Sequence, residues 1–214
     1  MRDGAPEDLS LTLDGAPWPG GPGGAPVGLR LRRVAGAPAS LSVRLSLAAH
    51  DAAGLPRPGA RLGLSGPGGA LFDGVLTRRE IISGADGHVA DLIARDDLHR
   101  LALRRTPGAE DAPSLHGLAG RAARRAGLAF VAHGADCAAG RHLNRFDDDL
   151  AFLRATLARY GMSMRLTDRG LEAFDLSAPP LGAPHDLTDR WTHLRAVDDP
   201  DRAAPVALAG WSAW

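Results

Sequence analysis

The stretch NRFDDDLAFLRATLARYGMSMRLTDRGLEAF, Asn144–Phe174, decides how this chain is read. It opens on a polar cluster, runs into a capped amphipathic helix, stops at a glycine and continues as two short strands. Asp148 or Asp149 can cap the helix, because a short carboxylate accepts the free amide hydrogens of a first turn. Leu150, Leu153, Leu157 and Tyr160 recur at helical spacing and predict one apolar stripe, with Arg154 and Arg159 off it. Gly161 is placed to end the helix. Met162–Leu166 and Leu171–Leu176 follow as strands, joined by Thr167-Asp168-Arg169-Gly170 as a tight hairpin.

Outward from this stretch the chain divides into three. Residues 1–105 are strand-rich. Leu9, Leu11 and Leu13 alternate with polar residues, and Leu41, Val43, Leu45 and Leu47 alternate with Ser42, Arg44 and Ser46. Phe72–Ile82 and His88–Ala94 are further strands, separated by Ser83-Gly84-Ala85-Asp86-Gly87. Repeated strands bounded by Gly and Pro predict a small antiparallel barrel or sandwich. Ala16–Pro26, APWPGGPGGAP, has too little apolar material to pack and reads as a mobile loop. Residues 106–178 are mixed α and β. Ser114 can cap a helix over Leu115–Ala126, with Leu115, Leu118 and Ala122 on one face. Arg121, Arg124 and Arg125 line the other, either as a solvated face or as partners for acidic residues of an adjacent subunit. Residues 179–214 open on a Pro-Pro linker and carry two further segments, Trp191–Val197 and Pro205–Trp214; Val206–Trp211 reads as a strand.

The order of residues in the deciding stretch resembles the signature of the hub proteins of contractile injection machines. These are the VgrG proteins of type VI secretion, the late control protein D family of contractile phages, and the baseplate hubs of related particles. Asn144 stands where that family has a Gln, and Asp147, Asp148 and Asp149 stand at its acidic triplet. Phe152 and Leu153 match a Phe-Leu pair, Leu157-Ala158 a Leu-Ala step, Tyr160-Gly161 the helix end, and Leu171-Glu172-Ala173-Phe174 the second hairpin strand. Asn144 and Asp148 depart from the commonest family choices but keep the polarity. Leu71–Thr77, after the Pro58-Gly59 turn, resembles a strand of the family's first barrel. Leu115–Leu128 resembles the short helix that follows that barrel. The resemblance spans roughly Leu41 to Phe174.

That resemblance implies a mainly β chain: a tail-tube-like antiparallel barrel, a small inserted helix-hairpin domain, and the start of a second barrel. It implies a homotrimer around a channel, adapting the six-fold inner tube to the three-fold spike, with tube, spike and baseplate wedge components as partners. Such a protein turns nothing over and needs no cofactor. The chain ends before a second barrel could be completed, so either it is a minimal hub or a second chain finishes the structure. Trp18, Trp211 and Trp214 are candidate interface anchors, since large aromatics favour such places.

Composition narrows the rivals. The 214 residues are 44% hydrophobic and 23% charged, as expected of a globular chain with one or two cores. Formal charge is zero, which argues against a dedicated nucleic-acid binder. All 25 cationic side chains are Arg, and Gln is absent; with abundant Ala, Gly and Pro this fits a GC-rich coding bias rather than selection for phosphate binding. The single Cys137 excludes an intramolecular disulfide and reads as an incidental loop thiol, although His133 and His142 lie near it in sequence. No HExxH, GxSxG or phosphate-cradling Gly-Lys-Ser/Thr motif is present. His142 and Asp147 could form half of a metal site, but adjacent Asp residues at a helix start read first as caps and as partners of Arg141 or Arg145. The acidic N-terminus carries no secretory signal, and no apolar run reaches the length that crosses a bilayer. The expected location is the bacterial cytoplasm during assembly, then the baseplate of a virion or injection particle. Three alternatives stay open: a six-fold tail-tube or distal-tail protein, a cell-wall or glycan-binding module using the Trp residues, and a hydrolase pairing His142 or His133 with Asp147–Asp149.

Overall fold

A computed structural model of the chain describes residues 9–18, 25–47, 54–84, 87–144, 147–176, 193–195 and 209–211. Seven strands come first: β1 Ser10–Leu13, β2 Ala16–Pro17, β3 Ala25–Arg32, β4 Ser40–Leu47, β5 Arg61–Gly66, β6 Gly69–Gly84 and β7 Gly87–Arg95. They form one antiparallel sheet in the order β2-β1-β5-β6-β7-β4-β3. β4 shows why it forms. Leu41, Val43, Leu45 and Leu47 are buried on one face, while Arg44 and Ser46 face outward. Full burial of a leucine such as Leu45 stabilises by roughly 2–3 kcal/mol.

β6 curves the sheet. Its first half pairs with β5 and its second half with β7. The register shifts between Leu76 and Arg78, so Thr77 is an extra residue, and its hydroxyl donates to the Ile93 carbonyl at 3.0 Å. Such a bulge bends a strand and exchanges its faces. Before it Phe72, Gly74 and Leu76 are buried; after it Ile81 packs on the core. One apolar cluster joins Leu11 and Trp18 to Leu41, Leu62, Leu76 and Leu92. The sheet therefore wraps a single core as a barrel does, but among the described residues its end strands, β2 and β3, are not hydrogen-bonded to each other.

Two expectations change here. Ala16–Pro26 is not loop throughout, because Ala16–Pro17 and Ala25–Pro26 lie in strands; residues 19–24 lie outside the described residues. Trp18 is 8% exposed and belongs to the core rather than to an interface. The β1–β2 hairpin puts it there, with the Trp18 amide donating to the Leu11 carbonyl at 2.8 Å.

A one-turn helix, α1 His99–Ala102, leads into β8 Gly108–Ser114, α2 Leu115–Arg125, β9 Phe130–Ala132, β10 Ala138–Asn144, α3 Asp149–Ala158, β11 Met162–Thr167 and β12 Gly170–Asp175. β8 and β10 form an antiparallel ribbon. β11 and β12 form the hairpin, and β9 adds to β12 in parallel. Helices and sheets share a second apolar cluster that includes Leu98, Leu101, Leu118, Leu153, Leu157, Met164 and Leu171. Ser114 is extended and accepts from the Gly117 amide at 3.1 Å, and so caps α2. α3 buries Leu150, Leu153 and Leu157, and also Phe152 and Thr156. Its buried face is thus wider than one stripe. Tyr160 is not part of it: it is 40% exposed, past the helix end.

The β3–β4 turn reaches this second part of the fold. The Gly36 amide donates to the Met164 carbonyl at 2.7 Å, on the outer edge of β11. Gly36 has a φ of +72°, a conformation glycine adopts without penalty. By compactness the chain forms one unit over Asp8–Asp175 and another over residues 1–7 and 176–214. In the latter, β13 His193–Arg195 pairs antiparallel with β14 Ala209–Trp211.

Candidate functional site

The acidic run at the head of α3 is a junction built from three different environments. Asp147 is exposed, and its carbonyl accepts from the side-chain amide of Asn144 at 3.2 Å. Asn144 itself is 2% exposed. Asp148 is extended and accepts from the Ala151 amide at 2.8 Å, which makes it the N-cap. Asp149 is 1% exposed. One of its oxygens accepts from the Thr106 amide and the other from the Thr106 hydroxyl, both at 2.9 Å. Its own amide donates to the Arg104 carbonyl at 2.9 Å. Asp149 therefore ties residues 104–106, which leave α1, to the start of α3.

The arginines of α2 complete this junction. Arg125 lies 2.7 Å from Glu110 and 3.6 Å from Asp149, and Arg121 lies 3.7 Å from Glu110. Arg121 also donates to the Asp111 carbonyl at 2.5 Å. Arg121 and Arg125 are thus engaged within the chain, on β8 and α3, where the helical pattern pointed to solvent or a neighbouring subunit. Arg124 remains exposed. Among the described residues the partner of the acidic run is Arg125 rather than Arg141; Arg145 lies outside the described residues.

A second polar cluster sits on the hairpin. Glu172, 4% exposed, accepts from Arg165 at 2.8 Å and from the Thr167 hydroxyl at 3.2 Å, and lies 3.3 Å from His133 Nε2. Burial alone would raise its carboxyl, but the Arg165 bond and the close approach of His133 outweigh burial and hold it below the usual range. The Arg165 guanidinium also lies 5.2 Å over the Phe174 ring. Sequence reading missed Glu172 as a partner of Arg165. Counting register back from the Thr167–Gly170 turn pairs the two directly.

The histidines are spent on other contacts. His133 meets Glu172, and His142 lies 2.8 Å from the Ala139 carbonyl with its ring edge-on to Tyr160. Neither takes an aspartate of the Asp147–Asp149 run as a partner among the described residues. No three metal-ligating side chains converge among the described residues. Cys137 is exposed in its loop. Trp211 ends β14 opposite His193, but its side chain and the whole of Trp214 lie outside the described residues.

An open cleft of about 1240 Å³ runs between the barrel-like sheet and the β11–β12 hairpin, lined in part by Arg33, Arg61, Asp96, Asp97, Arg165 and Phe174. Asp96 accepts from the Ala39 amide at 3.0 Å and the Leu98 amide at 3.2 Å. Burial, helped by the neighbouring Asp97 charge, pushes its carboxyl up to about 6, against the pull of those amides and Arg33. Below the ordinary value of 3.8 the group is protonated folded or unfolded; above about 6 it is charged in both, and the folded state carries the desolvation cost. Stability from this group is therefore lost as pH rises through that window, by about 2 kcal/mol for a half-buried site. His99, held low by burial and by Arg95, acts in the opposite sense as pH falls. The difference between wild type and Asp96→Asn isolates Asp96. From pH 4 to 7 the wild type is expected to lose stability relative to the variant in urea unfolding; parallel profiles would remove the assignment.

No protein-family model and no curated protein matches the sequence. Solved structures do match. The 43 kDa tail protein of prophage MuSo2 from Shewanella oneidensis superposes with a TM-score of 0.65 at 13% identity, over 88% of this chain and 59% of that one. The E. coli c3393 protein is a component of the type VI secretion system, described as structurally similar to the T4 bacteriophage tail proteins gp27 and gp5. It matches at 0.63 and 14%, over 88% of this chain and 56% of its own. A tail protein from Neisseria meningitidis MC58 matches at 0.61 and 14%, over 91% and 61%. The shared property is the fold, and this chain spans less than two thirds of each structure.

Proposed function

We propose that this chain is a structural baseplate hub of a phage-tail-like contractile machine, a trimeric ring that joins the inner tube to the central spike. The observation that carries the reading is the order of parts: a curved seven-stranded sheet followed by a capped helix–hairpin module, an order that fits the tail-protein folds over 88–91% of this chain. Residues 1–105 would be the first barrel domain, 106–178 the inserted domain, and 179–214 a linker with strands of a second barrel. Asn144, Asp147–Asp149, Phe152, Leu153, Tyr160, Gly161 and Phe174 would act as structural elements of that inserted domain. The polar clusters support a structural role, because their two buried carboxylates, Asp149 and Glu172, are engaged by Thr106, Arg125, Arg165 and His133 within the fold. The partners would be the tube, spike and wedge proteins, and the site of action the baseplate, after assembly in the bacterial cytoplasm.

Native mass tests the reading. The purified chain, alone or with a spike protein of the same particle, is expected to give a species near three times 22.3 kDa or a three-fold complex. A six-fold ring would move it to the tube subunits. A monomer that ignores both tube and spike would overturn the assembly reading.

A further inference from the structure

The two apolar clusters share no residue: one lies within the sheet, the other among the helices and the β11–β12 hairpin. The elements of each part pack chiefly among themselves. Between the sheet and the hairpin stands the open cleft of about 1240 Å³ rather than a shared apolar layer. What joins the parts is the chain at residues 96–98 and a few polar contacts. The β3–β4 turn, residues 33–39, crosses from the sheet, and its Gly36 amide donates to the Met164 carbonyl at 2.7 Å. Arg61 of β5 lies 3.7 Å from Asp97.

Asp96 braces the crossing point. One of its carboxyl oxygens accepts from the Ala39 amide, on the sheet side, and the other from the Leu98 amide, on the helix side. Leu98 is fully buried in the second core, so the short turn at 96–98 carries that core with it. A few loop residues joining separate cores can absorb a change of angle that neither core could.

We propose that residues 96–98 are a hinge with the β3–β4 turn as its latch, and that the helix–hairpin part swings on it away from the sheet and widens the cleft. Opening breaks the Gly36–Met164 bond and a few polar contacts, and leaves both cores intact. Asp96 biases the motion. The charges that act on it are Asp97 beside it and Arg33 of the latch; Asp97 is itself met by Arg61 and by Arg100 of α1. Asp73 of β6 is paired with Arg61, His99 of α1 faces Arg95, and the hairpin wall brings Arg165, Asp168 and Arg169. Closed, Asp96 is buried and its carboxyl stands at about 6; opened to water it returns toward 3.8. Below 3.8 it is protonated in both forms; above about 6 it is charged in both, and only the closed form bears the cost of burial. Opening therefore increases as pH rises through that window. The motion is intrinsic to one chain and stands whether or not the chain assembles.

Ala70 and Arg169 are exposed and stand on opposite walls of the cleft. The test is the distance between spin labels at Ala70→Cys and Arg169→Cys in the full chain carrying Cys137→Ser, diluted into unlabelled chain so that only distances within one molecule are read. A short and a long distance are expected, the long population being about tenfold larger at about pH 7 than at about pH 4. Gly36→Ala should enlarge it at both pH values, because Gly36 has a φ of +72° and a Cβ there would stand 3.3 Å from the Arg154 side chain. Asp96→Asn should remove the pH dependence, which separates Asp96 from His99 and the other charges. A second measurement needs no variant: in wild type the Gly36 amide should exchange with solvent faster than the amides of β7, a central strand, after correction for intrinsic rates. One distance that neither pH nor Gly36→Ala changes would overturn the hinge, as would Gly36 exchange as slow as that of β7. A pH dependence that survives in Asp96→Asn would overturn the part given to Asp96.

Discussion

Gly170→Ala is expected to destabilise the chain by about 4 kcal/mol, a large part of the stability margin of an ordinary domain. Two independent costs meet at this residue. Gly170 opens β12 with a φ of +123°, which L side chains rarely adopt. A Cβ there would stand 2.5 Å from the Ala129 carbonyl oxygen and 2.8 Å from the Ala129 Cβ. The obstacle is backbone, so no rotamer change relieves it. Ala129 would have to retreat, and its carbonyl accepts the Leu171 amide at 2.9 Å, the contact that begins the β9–β12 pairing. Gly161→Ala is the control. Gly161 has a φ of +69° with nothing within 4 Å of its built Cβ, so only conformational strain of about 1–2 kcal/mol applies. Urea unfolding of the two variants measures the difference. Equal losses would mean that β9 is not held against the Gly170 backbone as described.

Gly170 lies in the part of the fold that was most legible from sequence, and the reason is locality. The cap at Asp148, the glycine at 161 and the turn after Thr167 are each read within four residues, and the hairpin register follows from the turn. β4 was equally plain, because its alternation is made of large residues. The sheet order was not legible. β1 lies next to β5, and β4 lies between β7 and β3, so pairing partners are up to 55 residues apart and no local signal names them. The Thr77 bulge was hidden for a different reason, since an extra residue changes which face is inward without changing composition.

The ribbon β8–β10 escaped because its strands are built from small and polar residues, with Ala112 and Ala139 buried and Leu143 the one large apolar residue in them. That omission had a consequence for the site. With β8 unseen, Glu110 had no position, and Arg121 and Arg125 looked like outward-facing charges rather than its partners. Trp18 was misread in the same way. Its Pro and Gly neighbours point to a loop, and only the β1–β2 hairpin brings the indole into the core.

The acidic run now separates into roles that alanine substitutions should rank. Asp147→Ala removes an exposed carboxylate and keeps the backbone carbonyl that Asn144 uses, so its effect should stay within about 0.5 kcal/mol. Asp148→Ala loses the cap on Ala151 and should cost about 1 kcal/mol. Asp149→Ala should cost about 3 kcal/mol, because it leaves the Thr106 amide and hydroxyl without their acceptor and Arg125 without its buried counter-charge. For a chain of this size that is a fall in melting temperature of roughly 6–12 °C. Asp149→Asn should recover part of this loss, since its Oδ1 can still accept from the Thr106 amide and its Nδ2 can donate to the Thr106 hydroxyl oxygen, while the charge facing Arg125 is gone. A run that served catalysis or metal binding would behave otherwise, with melting temperatures unchanged by all three substitutions and one activity lost by each. Equal, small shifts across the three would break the structural assignment of Asp149. The steep order from Asp147 to Asp149 is what a junction predicts, because only the last of the three carboxylates is withdrawn from water and must find all its partners inside the protein.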